Sequence, residues 1–283
     1  MISVGNLTVG GSGKTPLVAE IARLLIAMGE RPAILSRGYA RRVPSDGVVV
    51  VSDGREVRTD VERSGDEPLM LARNVPHAAV LVCPSRYLAG RLAESRLGST
   101  VHILDDGFQH FALMRDIDLL IAPADDEVAR MLPFGRFREP LDAASAADAV
   151  MVEVGDSVSH ESHDPATFRF TRRITGPAPD EPVFAFAGIA RPERFYHDLE
   201  TRGWQLTGRK SFRDHRHYSP RDVEAIVAAA RRSGARKILT TEKDAVRLPA
   251  LTGVPIIAVP LETSVEPRFG PWIAERLQRA RSA

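Results

Sequence analysis

Eight consecutive residues, Thr8-Val9-Gly10-Gly11-Ser12-Gly13-Lys14-Thr15, have the types and spacing of a loop that cradles nucleotide phosphates. Its glycines let successive backbone N–H groups curl around phosphate oxygens. A helix starting at Lys14 adds the partial positive charge of its amino terminus. Lys14 is spaced to reach the β- and γ-phosphates, and the Thr15 hydroxyl to bind Mg2+. The usual pattern, G-x-x-x-x-G-K-[ST], begins with glycine where this chain has Thr8. A glycine-rich turn with an incidental lysine is the plainer alternative. The context favours phosphate binding, because an apolar run at 2–7 leads into the loop and helical spacing follows it. The expected cofactors are ATP and Mg2+.

A second group with chemistry is Asp105-Asp106, which ends the apolar run at 101–104. In a parallel sheet the carboxyl ends of strands line the ligand crevice, and an aspartate there can hold Mg2+ beside a phosphate loop. The plainer alternative is an Asp-Asp-Gly turn bent at Gly107. The expected metal ligands are Thr15, Asp105 and Asp106.

Holding such groups together takes alternating strands and helices. Strands are expected at 2–7, 32–36, 78–83, 101–104, 117–122 and 149–154, with a hairpin at 48–58 turning at Asp53-Gly54. Helices are expected at 14–28, 67–73 and 85–96; the first carries Leu17, Ile21, Leu24, Leu25 and Met28 at helical spacing. A second set follows a polar segment at 155–165: strands at 183–187, 204–211, 237–241 and 255–259, helices at 192–202, 220–233 and 271–281. The expected fold class is α/β, a P-loop NTPase-like parallel-sheet domain plus a second, smaller α/β domain. Residues 1–155 make the nucleotide- and substrate-binding domain, 156–180 a linker with β strands, and 181–283 the smaller C-terminal domain.

Composition excludes several classes. The 283 residues are 43% apolar and 27% charged, ordinary values for a globular protein. Thirty-eight basic residues against 37 acidic ones give a net charge of +1, which argues against a nucleic-acid partner. The single cysteine, Cys83, excludes an internal disulfide framework and a cysteine-rich zinc site. No run reaches the ~18–20 apolar residues of a membrane span, and the first residues read as a strand, not a secretory signal. The expected location is cytoplasmic.

With these residues in place, the chain resembles the tetraacyldisaccharide 4'-kinases, the lipid A kinases of Gram-negative bacteria. The opening Val4-Gly5-Asn6-Leu7-Thr8 through Pro16 looks like that family's first motif. Further blocks follow in order: Ser36-Arg37-Gly38-Tyr39, Gly65-Asp66-Glu67-Pro68, Asp105 through His110, and Leu132-Pro133 with Gly135 and Arg138-Glu139-Pro140. The second half adds Phe186 through Pro192, Phe212 with Asp214-His215 and Tyr218, and Leu239 through Asp244.

The resemblance implies ATP-dependent phosphorylation of the 4'-hydroxyl of a tetraacylated glucosamine disaccharide 1-phosphate, giving lipid IVA. It implies two α/β/α domains joined by a β linker. It makes Asp66 the base that takes the sugar hydroxyl proton and His215 its helper. An Asp before Glu-Pro is otherwise an ordinary helix cap. The neighbouring His217 is set aside because His215 follows the Phe-x-Asp pattern directly. The resemblance adds Lys14, Arg138 and Glu139 to the catalytic set. Arg37 and Arg138 suit an anionic sugar phosphate, since the guanidinium fork matches phosphate geometry. It also implies a monomer, peripheral on the cytoplasmic face of the inner membrane. The family's apolar N-terminal helix does not precede the first strand here, so the expectation is a shortened start or docking by other surfaces. Two other readings stay open: a different P-loop kinase or ligase acting on a small molecule, and a nucleotide-dependent switch.

Overall fold

The computed structural model describes residues 1–11, 13–123, 130–155, 166–176, 181–249 and 255–282. Ser12 of the phosphate loop, 156–165 of the expected linker and 177–180 lie outside these residues. In chain order the elements are β1 (Ile2–Asn6), α1 (Lys14–Ala27), β2 (Pro32–Ser36), β3 (Val49–Asp53), α2 (Val61–Ser64), α3 (Asp66–Asn74), β4 (Ala79–Val82), α4 (Arg86–Leu97), β5 (Val101–Asp105) and β6 (Ile117–Ile121). A 3₁₀ turn at Leu141–Ala146 precedes β7 (Ala149–Glu153) and β8 (Ala166–Ile174). Then come β9 (Val183–Ala187), α5 (Pro192–Thr201), β10 (Leu206–Ser211), α6 (Pro220–Arg232), β11 (Lys237–Thr241), α7 (Glu242–Ala245), β12 (Ile256–Val259), β13 (Leu261–Val265) and α8 (Phe269–Ser282).

The chain divides into two compact units, Met1–Arg172 with Thr263–Ala283, and Arg173–Glu262. The first is built on a sheet of order β13-β8-β7-β6-β1-β5-β2-β4-β3. β1 runs parallel to both β5 and β6, β2 to β4 and β5, and β7 to β6 and β8; β3 is antiparallel to β4. Strands β1, β2, β4 and β5 are buried along their whole length. β2 and β4 accordingly read as apolar runs, whereas β1 and β5 also bury the polar residues Ser3, Asn6, His102 and Asp105. After β1 the chain builds outward through β2, β3 and β4, returns to β5, then crosses β1 to β6. The connection reverses direction at β1, and ligands of such sheets bind outside the carboxyl ends of the strands at that switch point.

The helices carry the signals that bound them. Leu17, Val18, Ile21, Ala22 and Leu25 form the buried stripe of α1. The Ser85 hydroxyl caps α4, and Gly98 ends it in a left-handed conformation. In the second unit, β10-β9-β11-β12 form a wholly parallel sheet. There Ser219 and Asp222 cap α6 reciprocally, with Pro220 in its first turn.

Three features depart from the sequence reading. The hairpin at 48–58 is one strand, β3, with a single Ser52–Val57 bridge. The Asp53 carboxylate accepts the N–H groups of Arg55 and Glu56, closing a local turn where a second strand was expected. The expected linker carries a β strand as anticipated, but that strand, β8, is a paired member of the large sheet. Finally, residues 263–283 group with the first unit, although 181–283 was assigned to the second. The cause is packing: Phe269 of α8 meets Phe168 of β8 edge to face, and Trp272 lies tilted against the same ring, at 5.2 and 5.1 Å between ring centroids. Arg276 pairs with Asp148 at 3.1 Å, and Arg281 reaches Glu30 at 2.8 Å.

Phe269 is fully buried. Phe269→Ala is expected to destabilise the first unit by about 3–5 kcal/mol. A lowered denaturation midpoint followed by probes in that unit checks it; an unchanged midpoint would show that α8 contributes nothing to its core.

Candidate active site

The phosphate loop leaves β1 at Asn6 and enters α1 at Lys14. Gly10 and Gly13 adopt φ values of 95° and 80°, the left-handed region that side chains disfavour. A β-carbon on Gly13 would also lie 2.8 Å from a guanidinium nitrogen of Arg172, so the loop passes against that side chain. Arg172 is itself clamped by Glu153 through two hydrogen bonds of 3.0 and 2.6 Å. Val9 and Thr8 run antiparallel to residues 136–138: Val9 N–H donates to the Arg136 carbonyl at 2.8 Å, and Arg138 N–H to the Leu7 carbonyl at 2.7 Å. The Arg136 side chain donates back to the Val9 carbonyl at 2.6 Å. The start of the loop is thus fixed by its own backbone and by a segment 130 residues away in sequence.

Four side chains meet at the carboxyl end of β1. Lys14 Nζ donates to Asn6 Oδ1 at 2.8 Å and lies 3.3 Å from Asp106 Oδ1. Arg138 forks onto both oxygens of Asp106 at 3.1 and 3.0 Å, and its Nη2 also reaches Asn6 Oδ1 at 2.9 Å. The Thr8 carbonyl accepts from the same guanidinium. Gln109 donates to the Asn6 carbonyl at 3.0 Å.

The adjacent aspartates differ in protonation chemistry. Asp105 is buried, and burial pushes its carboxyl up to about 7, reinforced by Glu67 and Asp106 and opposed by Lys14 and Arg86. For Asp106 burial acts in the same direction, but Lys14 and Arg138 outweigh it and hold the carboxyl below its usual range. Thr15 is buried in the first turn of α1. Thr15, Asp105 and Asp106, the expected metal ligands, each offer oxygen donors of the kind a hard divalent cation takes. Among the described residues, no group of three or more His, Cys, Asp or Glu stands ready to hold a metal unaided.

Asp66 is the first residue of α3 and is buried. The helix cap is Gly65, at φ 86°, so the cap position expected for Asp66 falls one residue earlier. Asp66 Oδ1 accepts the next N–H, of Glu67, at 3.0 Å. Glu67 lies close enough to raise Asp105, which brings the start of α3 to the same end of the sheet. Glu139 follows Arg138, and its Oε1 is buried without a hydrogen-bond partner among the described residues.

Arg86 and Glu67 join Arg136 and Arg172 among the charged groups here that sequence reasoning missed. Arg86 is buried at the start of α4, where burial and the nearby Arg37 lower its affinity for its proton and Asp105 and Asp106 oppose them. Its position just after a serine cap, past the end of a buried strand, was the available signal. Glu67 was legible only as a neighbour of Asp66.

His215 belongs to the second unit. It adopts φ 58°, and its Nε2 lies 3.7 Å from Asp214, which also pairs with Lys243 at 3.4 Å. The motif blocks of this unit converge on the buried Asp244. Its carboxylate accepts from Gly188 N–H at 3.0 Å, Tyr218 hydroxyl at 2.6 Å, Arg247 at 2.7 Å and Thr241 hydroxyl at 2.6 Å. Burial and Asp244 push the Tyr218 hydroxyl well above its usual range. Asp244 thus has a structural role, tying the ends of β9 and β11 to the segment around Tyr218.

Comparison with known proteins adds an independent finding. The family profile described as Tetraacyldisaccharide-1-P 4'-kinase matches residues 1–278. A tetraacyldisaccharide 4'-kinase of Desulfotalea psychrophila is 37% identical over 295 aligned residues, covering 95% of this chain and 84% of that one. One from Geobacter metallireducens is 40% identical over 284, covering 94% and 84%. Among solved structures, the "apo" form of LpxK from Aquifex aeolicus in complex with ATP aligns with a TM-score of 0.80 and 32% identity, over 97% of this chain and 87% of that one.

The opposed aspartates generate a pH prediction. With its carboxyl raised from 3.8 to about 7, Asp105 favours folding fully at acid pH, and that contribution is lost as pH rises through about 7. Without nucleotide or metal, Asp105→Asn is therefore expected to stabilise the chain at pH ~8 and to give little gain near pH ~4. Denaturation at both pH values checks the sign; an equal gain at both would contradict it.

Proposed function

The chain belongs to the tetraacyldisaccharide-1-phosphate 4'-kinase family, and we infer from that premise that it transfers the γ-phosphoryl group of ATP to the 4'-hydroxyl of tetraacyldisaccharide 1-phosphate, giving lipid IVA in lipid A biosynthesis. The observation that carries this reading is the meeting of Lys14, Arg138 and Asp106 beside the phosphate loop, in a chain matched to the family from residue 1 to 278.

Phosphoryl transfer passes through a loose transition state, so catalysis rests on positioning and on neutralising spread charge. Lys14 and Arg138 supply two cations at the end of β1. The backbone of residues 8–13 and the amino terminus of α1 hold the phosphates. Thr15, Asp105 and Asp106 would hold Mg2+, which when bound neutralises charge on the β- and γ-oxygens. The low proton affinity of Asp106 keeps it anionic for that task.

The acceptor hydroxyl needs a base. Asp66 suits the role because its carboxyl is buried at the start of α3, next to Glu67, whose charge is felt by Asp105. The bond forms between the 4'-oxygen and the γ-phosphorus while the bond to the β–γ bridging oxygen breaks. The hydroxyl proton passes to Asp66, and ADP leaves. His215 assists that proton transfer. The unpartnered Glu139 Oε1 suits a hydrogen bond from a sugar hydroxyl. Arg37 and Arg86, close enough for mutual repulsion, suit the substrate's anionic 1-phosphate. We assign the reaction to the cytoplasmic face of the inner membrane, with peripheral attachment; among the described residues no helix is long and apolar enough to cross a bilayer.

The test is transfer of ³²P from γ-labelled ATP to purified tetraacyldisaccharide 1-phosphate in detergent. Asp66→Asn is expected to lower kcat by roughly 10²–10⁴-fold with ATP binding nearly unchanged. His215→Ala is expected to lower turnover while also leaving ATP binding nearly intact. Equal loss of turnover and ATP binding in either variant would contradict its acid–base role, and no lipid phosphorylation by the unaltered chain would overturn the reading itself.

A further inference from the structure

Asn6 is the last residue of β1 and is 1% exposed. Its side-chain oxygen accepts from Lys14 Nζ at 2.8 Å and from Arg138 Nη2 at 2.9 Å. Its side-chain nitrogen donates to Thr8 Oγ1 at 3.0 Å. The orientation of this amide follows from chemistry: Lys and Arg offer only donors, so the oxygen must face them. Turning the amide over would aim its N–H groups at two cations and set donor against donor.

The two cations thus have two kinds of partner. Asp106 faces them with a full negative charge. Asn6 faces them with a neutral carbonyl, which fixes their nitrogens without cancelling their charge. A carboxylate at position 6 would fit the same space but would compete with a triphosphate for both cations. Thr8 completes the arrangement. It stands where such loops usually have glycine, yet it is not among the residues with positive φ, so its backbone does not require glycine. Its hydroxyl receives the amide of Asn6, and its carbonyl receives Arg138 at 3.1 Å.

We propose that Asn6 is a positioning residue for phosphoryl transfer, its neutral carboxamide holding Lys14 and Arg138 at one point with Thr8 as its anchor. This rests on the kinase reading above. Asn6 need touch neither nucleotide nor acceptor; it acts through the two cations. When phosphate oxygens displace Asp106 from Lys14 and Arg138, the contact to Asn6 persists and sets where the two nitrogens meet the γ-phosphate.

The test uses the full chain carrying Asn6→Asp, Asn6→Ala, Thr8→Val or Thr8→Ser, with ATP binding by titration calorimetry measured separately from lipid phosphorylation. Asn6→Asp is expected to weaken ATP binding by about tenfold or more, because its carboxylate neutralises the cations. Asn6→Ala is expected to lower kcat by about 10–100-fold, more than it raises the KM for ATP, since cations misplaced by ~1 Å lose transition-state contact. Thr8→Val is expected to lower kcat by several-fold at an unchanged melting temperature, and Thr8→Ser to restore it to within about twofold. If the Asn6 variants fail to fold, the Thr8 pair decides. The proposal is overturned if folded Asn6→Asp binds ATP as the unaltered chain does, or if Thr8→Val keeps full kcat. Should the unaltered chain bind ATP but phosphorylate no lipid, the kinase reading falls, while the calorimetric comparison still shows whether position 6 must be neutral.

Discussion

One carboxylate holds together the side chains at the carboxyl end of β1 in the first unit. Asp106 receives a bidentate fork from Arg138 and an ion pair from Lys14. Two cations this close repel each other, so the pair needs an anion. Asp106 can supply it because its backbone turns through φ 55° straight after β5, bringing its side chain back over the end of β1. Aspartate tolerates that conformation better than most residues. Gly107 then lets the chain pass close to Leu104 and Ser3, where a β-carbon would sit 2.5 and 2.9 Å from their side chains.

The consequences spread through the sheet. Because Arg138 is held, its backbone can zip against Leu7, and the start of the phosphate loop becomes rigid. Phe137 is carried into a small core with Leu7, Phe108, Leu120 and Ala147. Phe108 in turn needs Gly5, since a β-carbon there would lie 2.4 Å from its own. The order of strands brings these pieces to one place, with β5 and β6 flanking β1 on either side. Asp105, one residue earlier, ends β5 in a buried setting, so neighbouring carboxylates acquire opposite proton affinities. A nucleotide with its cation would meet an anion already in place at Asp106 and two cations already oriented.

Much of this was legible in the chain because it rests on local rules. Strand β1, the glycine loop and α1 follow from apolar runs, glycine spacing and helical period. Asp105 and Asp106 stood out because two carboxylates end an apolar strand. The roles proposed for Asp66, Arg138 and Glu139 were not derivable from spacing; they came with the family blocks. Long-range geometry was beyond reach. Arg136, Arg172 and Arg86 are three arginines among 34, and nothing local distinguishes those that touch the loop or its surroundings. The return of α8 to the first unit depends on Phe168 meeting Phe269 across a hundred residues. Nothing in the Leu239–Asp244 block announced that the Asp244 carboxylate would be spent on Gly188, Tyr218, Thr241 and Arg247.

Asp106 thus occupies the cations that nucleotide phosphates would use. The decisive experiment is calorimetric binding of ATP to Asp106→Asn with no divalent metal present. Removing the carboxylate frees Lys14 and Arg138, so metal-free ATP is expected to bind more tightly than to the unaltered chain, by about tenfold. Weaker or unchanged binding would contradict this, and would mean that Asp106 holds the loop in shape without competing for its cations.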